Sequence, residues 1–377
     1  MKILFLNGSR GEWGYIRPII DLCRQQGIDY SICATNMLLL PTHGMLVDEI
    51  RDGGYEVGDE ILMSLEGHNH FTMTKSLGIF LTSFVDTLSR YKPDWLLLAG
   101  DRGEQLMGAI AATYTYTPVA HIQAGERSGN IDGVTRHAIG KFVHLHFAAN
   151  DDAAGRLLKL GEEAFRVHMV GAPQLDDLVQ GDVATPTEIA RRYGIPVADP
   201  FLLVVQHPVT EELTEAGAQV EALCAALAEH DMRKVWILPN NDAGSHAVRQ
   251  VLLRDRTRDV QVFDNLTRRD YLCLLKNSRA IVGNSSSGLL EAPTFGTPAV
   301  NIGRRQADRV QGRNVINAEF EVGSIRAAIS RALLPEFRSE IQGAPNPYGD
   351  GHSSSRILEV LRTTEVDDRL LIKRLTY

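Results

Sequence analysis

The chain has 377 residues, enough for two domains that each bury a sizeable core, and its 44% hydrophobic and 23% charged residues are ordinary for a globular protein. The formal net charge is -8 and Lys and Arg form no tract, so the sequence predicts no nucleic acid partner. No segment is long and apolar enough for a bilayer span, and residues 1–8 predict a strand and a turn rather than a signal peptide, so no membrane partner is predicted.

Short apolar runs alternate with longer amphipathic segments along the chain. The predicted strands are 3–6, 30–34, 95–99, 119–122, 145–149, 201–205, 235–238, 260–263, 280–282 and 299–302. Predicted helices between them include 16–24, 105–114, 151–160, 215–230 and 268–276. Uniformly apolar strands that alternate with helices are typical of parallel sheets covered on both faces. The sequence therefore predicts an α/β fold with two Rossmann-like, doubly wound parallel-sheet domains facing a cleft.

The alternation lapses at 171–200, where glycine and proline are frequent, and a new strand begins at 201. We therefore predict an N-terminal domain over 1–172 and a C-terminal, nucleotide-binding domain over 173–355. The last segment, 356–377, is predicted to form a helix that packs back onto the N-terminal domain.

Cysteines and histidines give no sign of metal or redox chemistry. The four cysteines are scattered without C-x-x-C spacing, which favours reduced core residues and a cytoplasmic protein. Alternating histidines occur at His68 and His70 and again at His144 and His146, but no further ligands follow at metal-site spacing. The sequence predicts neither a metal nor a cofactor.

Ligands of parallel sheets bind beyond the carboxyl ends of strands, so the residues that follow each strand are the candidates for a site. After the first strand, glycines are spaced G-x-x-G-x-x-G, which is not the dinucleotide fingerprint G-x-G-x-x-G. Arg10, together with backbone N–H groups at a helix start, can bind a phosphate there. A plain strand-to-helix turn is the alternative interpretation.

Three carboxylates follow strand ends in the N-terminal half, namely Asp101, Glu126 and Asp132. Carboxylates held together push their pKa values apart, so that one can donate a proton while another accepts one. The alternatives are a helix cap for Asp101 and a structural ion-pair network with nearby arginines such as Arg136.

In the C-terminal half, His207 follows the strand 201–205 and is a candidate acid or base, with a structural histidine as the alternative. Asp242 lies in a polar loop, 239–245, that either binds a sugar or phosphate or forms a simple turn.

The segment 283–288 reads Gly-Asn-Ser-Ser-Ser-Gly between a strand and a helix predicted to start near Leu289. Its small residues, the hydroxyls of Ser285 and Ser286 and the helix terminus favour a diphosphate site, and helix capping alone is the alternative. Glu291 can accept hydroxyl groups of a ribose, and Arg305 can neutralise a leaving diphosphate. The segment matches neither a P-loop nor G-x-S-x-G.

These motifs together resemble the hydrolysing UDP-N-acetylglucosamine 2-epimerases, whose two-domain fold is called glycosyltransferase B. The match runs in order through Gly8-Ser9-Arg10, Gly100-Asp101-Arg102, 121–126, Ile131-Asp132, Arg136-His137-Ala138-Ile139 with Lys141, 206–210, 242–245, 283–291 and 295–298. Each motif alone is modest, but their order and spacing make the set specific.

The resemblance implies that Asp101, Asp132 and His207 match catalytic positions and that Arg136 matches a substrate-orienting arginine. It also implies a set of nucleotide-diphosphate contacts, which are Arg10, Ser285, Ser286, Glu291 and Arg305.

One position departs from the family pattern. Gln123 stands where some relatives place an acidic residue taken to be catalytic, whereas Glu126 matches a second acid of the same motif. Because glutamine cannot accept the proton, the base is Glu126, Asp132 or Asp101, or this branch handles a different sugar.

The implied reaction eliminates UDP from a UDP-2-acetamido sugar, best UDP-N-acetylglucosamine, to give a 2-acetamidoglycal. Water then adds to release N-acetylmannosamine for nonulosonic acid biosynthesis. UDP-N,N'-diacetylbacillosamine of the legionaminic acid route, a GDP-sugar, a glycosyltransferase activity on the same fold and a silent nucleotide-sugar binder are the alternatives. Family resemblance also suggests a homo-oligomer, either a dimer or a tetramer.

Overall fold

The computed structural model describes residues 1–377 except 67–69, 129–130, 182, 210–211, 213, 240–244, 255–258, 265, 307, 375 and 377. The chain divides into two compact units. The first unit contains Met1–Arg127, Ile131–Asp176 and Tyr348–Tyr377, and the second unit contains Ser128 together with Asp177–Pro347. No helix in the described ranges combines the length and hydropathy that crossing a bilayer requires.

The first unit is built on a parallel sheet. Its described strands are β1 (Lys2–Asn7), β2 (Asp29–Thr35), β3 (Val57–Ile61), β4 (Trp95–Ala99), β5 (Val119–Ile122), β6 (Leu145–Ala148) and β7 (Val167–Met169). They lie in the order β3-β2-β1-β4-β5-β6-β7. The helices that follow them are α1 (Arg10–Gln26), α2 (Leu46–Asp52), α3 (His70–Tyr91), α4 (Gly103–Tyr114), α5 (Ile131–Phe142) and α6 (Asp151–Lys159).

Helix α1 illustrates how the sequence sets these elements. Ser9 precedes the helix, and its side chain accepts a hydrogen bond from the backbone N–H of Glu12, which satisfies one free donor of the first turn. Ile16, Ile19 and Cys23 recur with helical spacing and are fully buried in the sheet core. The helix ends at Gly27, whose positive φ of 64° is a conformation that glycine adopts without a Cβ clash.

The second unit is built on another parallel sheet. Its described strands are β8 (Phe201–Val205), β9 (Arg233–Ile237), β10 (Val260–Phe263), β11 (Ala280–Gly283), β12 (Ala299–Ile302) and β13 (Val315–Ala318), in the order β10-β9-β8-β11-β12-β13. The helices are α7 (Asp176–Gln180), which starts at the chain position where the units divide, α8 (Pro186–Tyr193), α9 (Ala216–Ala228), α10 (Ser245–Arg254), α11 (Arg268–Asn277), α12 (Ser287–Leu290), α13 (Val322–Ala332) and α14 (Pro335–Ile341).

The chain then returns to the first unit through α15 (Ser353–Thr363) and α16 (Asp368–Leu371). Ile357, Leu358 and Leu361 are buried in the same core as β1 and α1. The indole N–H of Trp95 in β4 donates to the carbonyl of Leu361 at 3.1 Å. The C-terminal segment is therefore an integral part of the first core.

Each sheet has one switch point, where the strand order reverses direction. In the first sheet the central neighbours are β1 and β4, and in the second they are β8 and β11. The loops that leave two such strands run to opposite sides and open a crevice at their carboxyl ends, where doubly wound sheets bind ligands. The predicted α/β fold with two parallel sheets is confirmed, and its two switch points indicate where to look for a site.

Candidate active site

The loop after β1 holds its own backbone donors. The Gly8 N–H donates to the Glu12 carboxylate at 2.6 Å, and the Ser9 N–H points to the Asn7 side-chain oxygen at 3.4 Å. The predicted phosphate site relied partly on such N–H groups, but here they are already bonded within the loop. Arg10, at the first position of α1, remains as the cationic group. Burial lowers the pKa of Arg10 while the Glu49 carboxylate raises it, and a guanidinium stays charged in either case.

Asp101 and Arg136 are brought together after β4. Arg136 lies in α5 with 2% of its side chain exposed, and one terminal nitrogen pairs with the Asp101 carboxylate. Its other terminal nitrogen donates to the main-chain carbonyl of Gln123 at 2.7 Å. Asp101 keeps 21% of its side chain exposed. The guanidinium thus ties together the loops that follow β4 and β5 and leaves part of the Asp101 carboxylate accessible.

His121 at the end of β5 helps to place Asp101. Its Nε2 lies 2.6 Å from the carbonyl of Gly100, which can only accept, so Nε2 carries the proton. Burial lowers the pKa of His121 to about 3, and the ring is neutral at physiological pH. Gly100 has a φ of 83°, which favours glycine. In the sequence, His121 stands out only as part of a motif, because its hydrogen-bond partner is 21 residues away.

The other two predicted carboxylates lie close by in the chain. Glu126 follows Gly125 after β5 and is 3% exposed, and Asp132 stands half-buried in the first turn of α5. Helix α5 also carries Arg136, the partner of Asp101. The three carboxylates therefore belong to the segments after β4 and β5, and the choice of one as the base stays a prediction.

Two buried glutamates at the first switch point, Glu12 and Glu104, were not among the predicted site residues, and each is 2% exposed. Burial and the neighbouring Glu104 raise the pKa of Glu12 well above its ordinary value. Glu104 accepts from the Asn36 amide at 2.9 Å. A Cβ at Gly8 would lie only 2.3 Å from a Glu104 oxygen, so this glycine makes room for the carboxylate. The available signal was two glutamates in the first turns of helices that follow central strands.

His144 and His146 have structural roles. Nδ1 of His144 accepts from the backbone N–H of Val119 at 3.0 Å, and Nε2 of His146 lies 3.0 Å from Glu162. Burial lowers the pKa of each histidine to about 4. Among the described residues, no three His, Cys, Asp or Glu side chains come together as a metal site requires. His68 lies outside the described residues.

In the second unit, the loops after β8 and β11 are locked to each other. The Asn284 side chain accepts from the His207 N–H at 2.7 Å and donates to the His207 carbonyl at 2.8 Å. Gly283 has a φ of 132°, and a Cβ there would lie 2.1 Å from the carbonyl oxygen of Val205. Glycine is therefore required where the two strands meet the loops.

His207 is 9% exposed, and its Nδ1 has no hydrogen-bond partner within the described ranges. Burial lowers the pKa of His207 to about 3, and the positive charge of Arg305 acts in the same direction. The imidazole is therefore neutral at pH 7 in this structure. It can exchange hydrogen bonds with a ligand, and it becomes a proton donor only if a bound anion raises its pKa.

The serine loop differs from the expectation in one respect. The helix predicted near Leu289 is α12, a single turn of four residues, so its dipole is weak. Two side chains stabilise the loop through the Asn284 carbonyl. Arg305 donates to this oxygen at 3.1 Å, and Gln306 donates to it at 3.3 Å. Ser285 and Ser286 remain half-buried at the carboxyl end of β11.

Glu291 follows α12 directly and is 6% exposed. Arg268 donates to one carboxylate oxygen at 3.4 Å and binds Asp177 at 3.1 Å. The other Glu291 oxygen has no partner in the part of the chain that the structure describes. Glu291 is thus oriented and has one oxygen left for a ligand. Asp242 lies outside the described residues.

These features define a two-unit α/β protein with polar groups at both switch points. A family profile described as UDP-N-acetylglucosamine 2-epimerase matches residues 21–362, and the chain belongs to this family. The family resemblance of the sequence is thereby confirmed.

Two relatives match almost end to end. The chain is 34% identical to the UDP-N,N'-diacetylbacillosamine 2-epimerase (hydrolyzing) of Legionella pneumophila, over 99% of this chain and 98% of the relative. It is 30% identical to the UDP-N-acetylglucosamine 2-epimerase of Neisseria meningitidis, over 97% and 96% of the two chains.

Solved structures agree on the fold. The crystal structure of UDP-GlcNAc 2-epimerase from Neisseria meningitidis bound to UDP-GlcNAc gives a TM-score of 0.84 at 20% identity, covering 97% of this chain and 100% of that one. A calicheamicin glycosyltransferase gives a TM-score of 0.56 at 14% identity, covering 96% and 97%. The predicted fold of glycosyltransferase B type is confirmed.

Proposed function

We propose that this protein is a hydrolysing 2-epimerase that converts a UDP-2-acetamido sugar to UDP and the free C2 epimer. One observation carries the proposal, namely that the switch points differ in chemistry. The first presents the Asp101 carboxylate beside Arg136, and the second presents a neutral histidine, two serines and Arg305. An elimination needs both a base and groups that stabilise the leaving diphosphate. We propose that the two sets act on the same substrate.

In the proposed first step the bond from C1 to the phosphate oxygen breaks and its electron pair leaves with UDP. A carboxylate of Asp101, Glu126 or Asp132 takes the proton from C2, and the electrons of that bond form the C1–C2 double bond of a 2-acetamidoglycal. In the second step water adds its oxygen to C1 and a proton enters C2 from the opposite face. The sugar is released with inverted configuration at C2.

The remaining residues bind and orient the substrate in this proposal. Arg10, Arg305 and the hydroxyls of Ser285 and Ser286 stabilise the diphosphate charge as it leaves. Glu291 accepts from a ribose hydroxyl through its free oxygen. His207 hydrogen-bonds to the departing phosphate oxygen, and the dianion raises its pKa toward the range where it can supply a proton.

We propose UDP-N-acetylglucosamine as the substrate, with N-acetylmannosamine as the product for nonulosonic acid biosynthesis. UDP-N,N'-diacetylbacillosamine is the second candidate substrate, and the 34% identity to the Legionella relative supports it. Side chains around C4 and C6 of the sugar would separate the two. The cytoplasmic location and the homo-oligomeric state stay predictions.

The test is incubation with each UDP-sugar in D2O, followed by NMR. We expect UDP and a free C2-epimeric sugar that carries deuterium at C2. Epimerised sugar that is still linked to UDP would show that the protein is a non-hydrolysing epimerase. Transfer of sugar to an acceptor with C2 unchanged would support a glycosyltransferase and reject the proposal.

A further inference from the structure

Gln123 is the first residue after β5, and its side-chain amide is buried and has no role in the proposed reaction. Its side chain is 1% exposed, and neither Oε1 nor Nε2 has a hydrogen-bond partner within the described residues. An unpaired amide in a protein interior loses its hydrogen bonds to water without compensation, so it destabilises the folded chain unless a ligand supplies the partner.

The backbone fixes Gln123 in an uncommon conformation. Its φ is 59°, in the left-handed region that residues with a Cβ rarely adopt. The Gln123 carbonyl accepts from Arg136 at 2.7 Å, and the next N–H, that of Ala124, donates to the Phe147 carbonyl at 3.2 Å. The residue is thus held from both sides, and surrounding contacts maintain a conformation that is unfavourable in isolation.

The same arginine connects Gln123 to the proposed base. Arg136 bonds the Gln123 carbonyl with one terminal nitrogen and the Asp101 carboxylate with the other. Gln123 and Asp101 are therefore attached to opposite ends of one guanidinium. If Asp101 or a neighbouring carboxylate acts at C2, the substituent on C2 lies next to this group.

We infer that the side-chain amide of Gln123 binds the acetamido group on C2 of the substrate, donating from Nε2 to the acetamido carbonyl while Oε1 accepts from a neighbouring sugar donor. This inference rests on the proposed function and deepens it. A carboxamide is neutral, so it cannot take the C2 proton, but it offers the donor that an amide carbonyl needs. Gln123 thereby selects 2-acetamido sugars over 2-hydroxy sugars.

The chain provides a matched pair of buried glutamines for the test. Gln105 is fully buried like Gln123, but its Oε1 accepts from the Ala99 N–H at 3.2 Å and its Nε2 points to the Leu6 carbonyl at 3.4 Å. Replacement by methionine keeps the length and unbranched shape of either side chain and removes its polar atoms. Gln105→Met should lower the Tm, whereas Gln123→Met should leave it unchanged or raise it by about 1–4 °C.

Ligand affinity is measured for UDP-N-acetylglucosamine, UDP-glucose and UDP by rapid competition at low temperature, over times too short for turnover of UDP-N-acetylglucosamine. The wild-type protein should bind UDP-N-acetylglucosamine more tightly than UDP-glucose, which has a hydroxyl at C2. Gln123→Met should weaken UDP-N-acetylglucosamine binding about 10- to 100-fold, change UDP-glucose binding less than about 3-fold and leave UDP binding unchanged. The preference for the acetamido sugar should therefore disappear.

Three results would overturn the inference. They are a wild-type protein that does not prefer the acetamido sugar, a Gln123→Met variant that keeps the preference, and a Tm that falls as in Gln105→Met, which would indicate a structural role. Failure of the proposed function is visible separately. If the affinity pattern holds but the wild-type protein releases no free sugar, Gln123 still binds the acetamido group and the assigned reaction is wrong.

Discussion

The loops at the two switch points are held by different kinds of contact. In the first unit, charged groups do the holding, because Arg136 joins the Asp101 carboxylate to the Gln123 carbonyl. In the second unit, the two loops are joined mainly by shape and neutral hydrogen bonds, through the Asn284 side chain on His207 and the bare Cα of Gly283, and Arg305 adds one hydrogen bond to the Asn284 carbonyl. A change of charge should therefore affect the first unit most, and a change of shape the second.

The same contrast extends to reactivity. The base proposed for the proton on C2 is a carboxylate, and Asp101 keeps 21% of its side chain exposed beside Arg136. A diphosphate site should instead offer donors and positive charge, and in the proposal the Glu291 carboxylate binds the ribose rather than the phosphates. His207 is neutral, and Arg305 stands behind the serine loop. Removing the carboxylate of Asp101 should therefore have the largest effect on turnover, and removing the charge of Glu291 the smallest effect on nucleotide binding.

Asp101→Asn should reduce kcat about 10²- to 10⁴-fold if Asp101 is the base, because the amide has nearly the same shape and cannot accept the proton. UDP affinity should not change, because Asp101 makes no contact with UDP in the proposal. Turnover is followed by release of free sugar, and UDP affinity by calorimetry. Asp152→Asn is the control, because Asp152 is an exposed carboxylate that pairs with Arg156 on the same helix. Near-normal turnover of Asp101→Asn would transfer the role to Glu126 or Asp132.

Gly283→Ala should damage the second unit by shape alone. The new methyl group would meet the Val205 carbonyl at 2.1 Å and occupy an unfavourable φ, so we expect a loss of about 2–4 kcal/mol in the free energy of unfolding. UDP affinity should fall at least about 10-fold as the loop moves. Gly323→Ala is the control, since Gly323 lies in α13 with open space around its Cα, and alanine there should stabilise the helix by about 0.5–1 kcal/mol. An unchanged Tm in Gly283→Ala would show that β8 and β11 can move apart at this point without a loss of stability.

The buried neutral histidines predict the acid dependence of stability. Folded His207 and His121 have pKa values of about 3, below the ordinary 6.5, so the unfolded chain binds more protons between those values. Stability therefore rises with pH in this window and is lost as pH falls below about 6.5. His207→Gln should flatten the slope of unfolding free energy against pH between 4.5 and 6.5. The slope above pH 7 should be the same in both proteins. An equal slope throughout would mean that His207 titrates normally in the folded chain.

The sequence anticipated the central strands better than the edges. Strands β1, β4, β8 and β11 each contain a continuous apolar run and were predicted, because strands buried on both faces leave a continuous hydrophobic signal. Of the four edge strands, β3, β7 and β13 were not predicted, whereas β10 was. In β3 the residues alternate between half-buried and exposed positions, so the apolar run is absent.

The site residues that come directly after strands were predictable for the same reason, because a strand that is recognised in the sequence also marks where its last residue lies. Their partners were predicted only in part. An ion pair of these carboxylates with Arg136 was one of the alternatives, although Arg136 is 35 residues from Asp101, whereas Asn284, which is 77 residues from His207, was not predicted as its partner. Such contacts depend on the order in which strands pair, which local patterns do not encode. The unpaired amide of Gln123 is likewise visible only after folding, although its position in the motif drew attention to it.

Glu291→Gln should produce the smallest effect, because it alters one oxygen of a group that Arg268 already orients at 3.4 Å. We expect UDP to bind about 3- to 10-fold more weakly, since a carboxylate accepts from a ribose hydroxyl more strongly than an amide does. Glu336→Gln, an exposed substitution in α14, should leave UDP affinity unchanged.

Deoxy-UDP, which lacks the 2'-hydroxyl of the ribose, identifies the contact behind this loss. Wild-type protein should bind deoxy-UDP more weakly than UDP, and Glu291→Gln should bind the two nucleotides with nearly equal affinity, because the hydroxyl and its acceptor form a pair that either change removes. If the variant lowers the affinity for both nucleotides by the same factor, Glu291 acts only through its contacts with Arg268 and Asp177. The second unit would then position its ligand through ion pairs, as the first unit positions its loops.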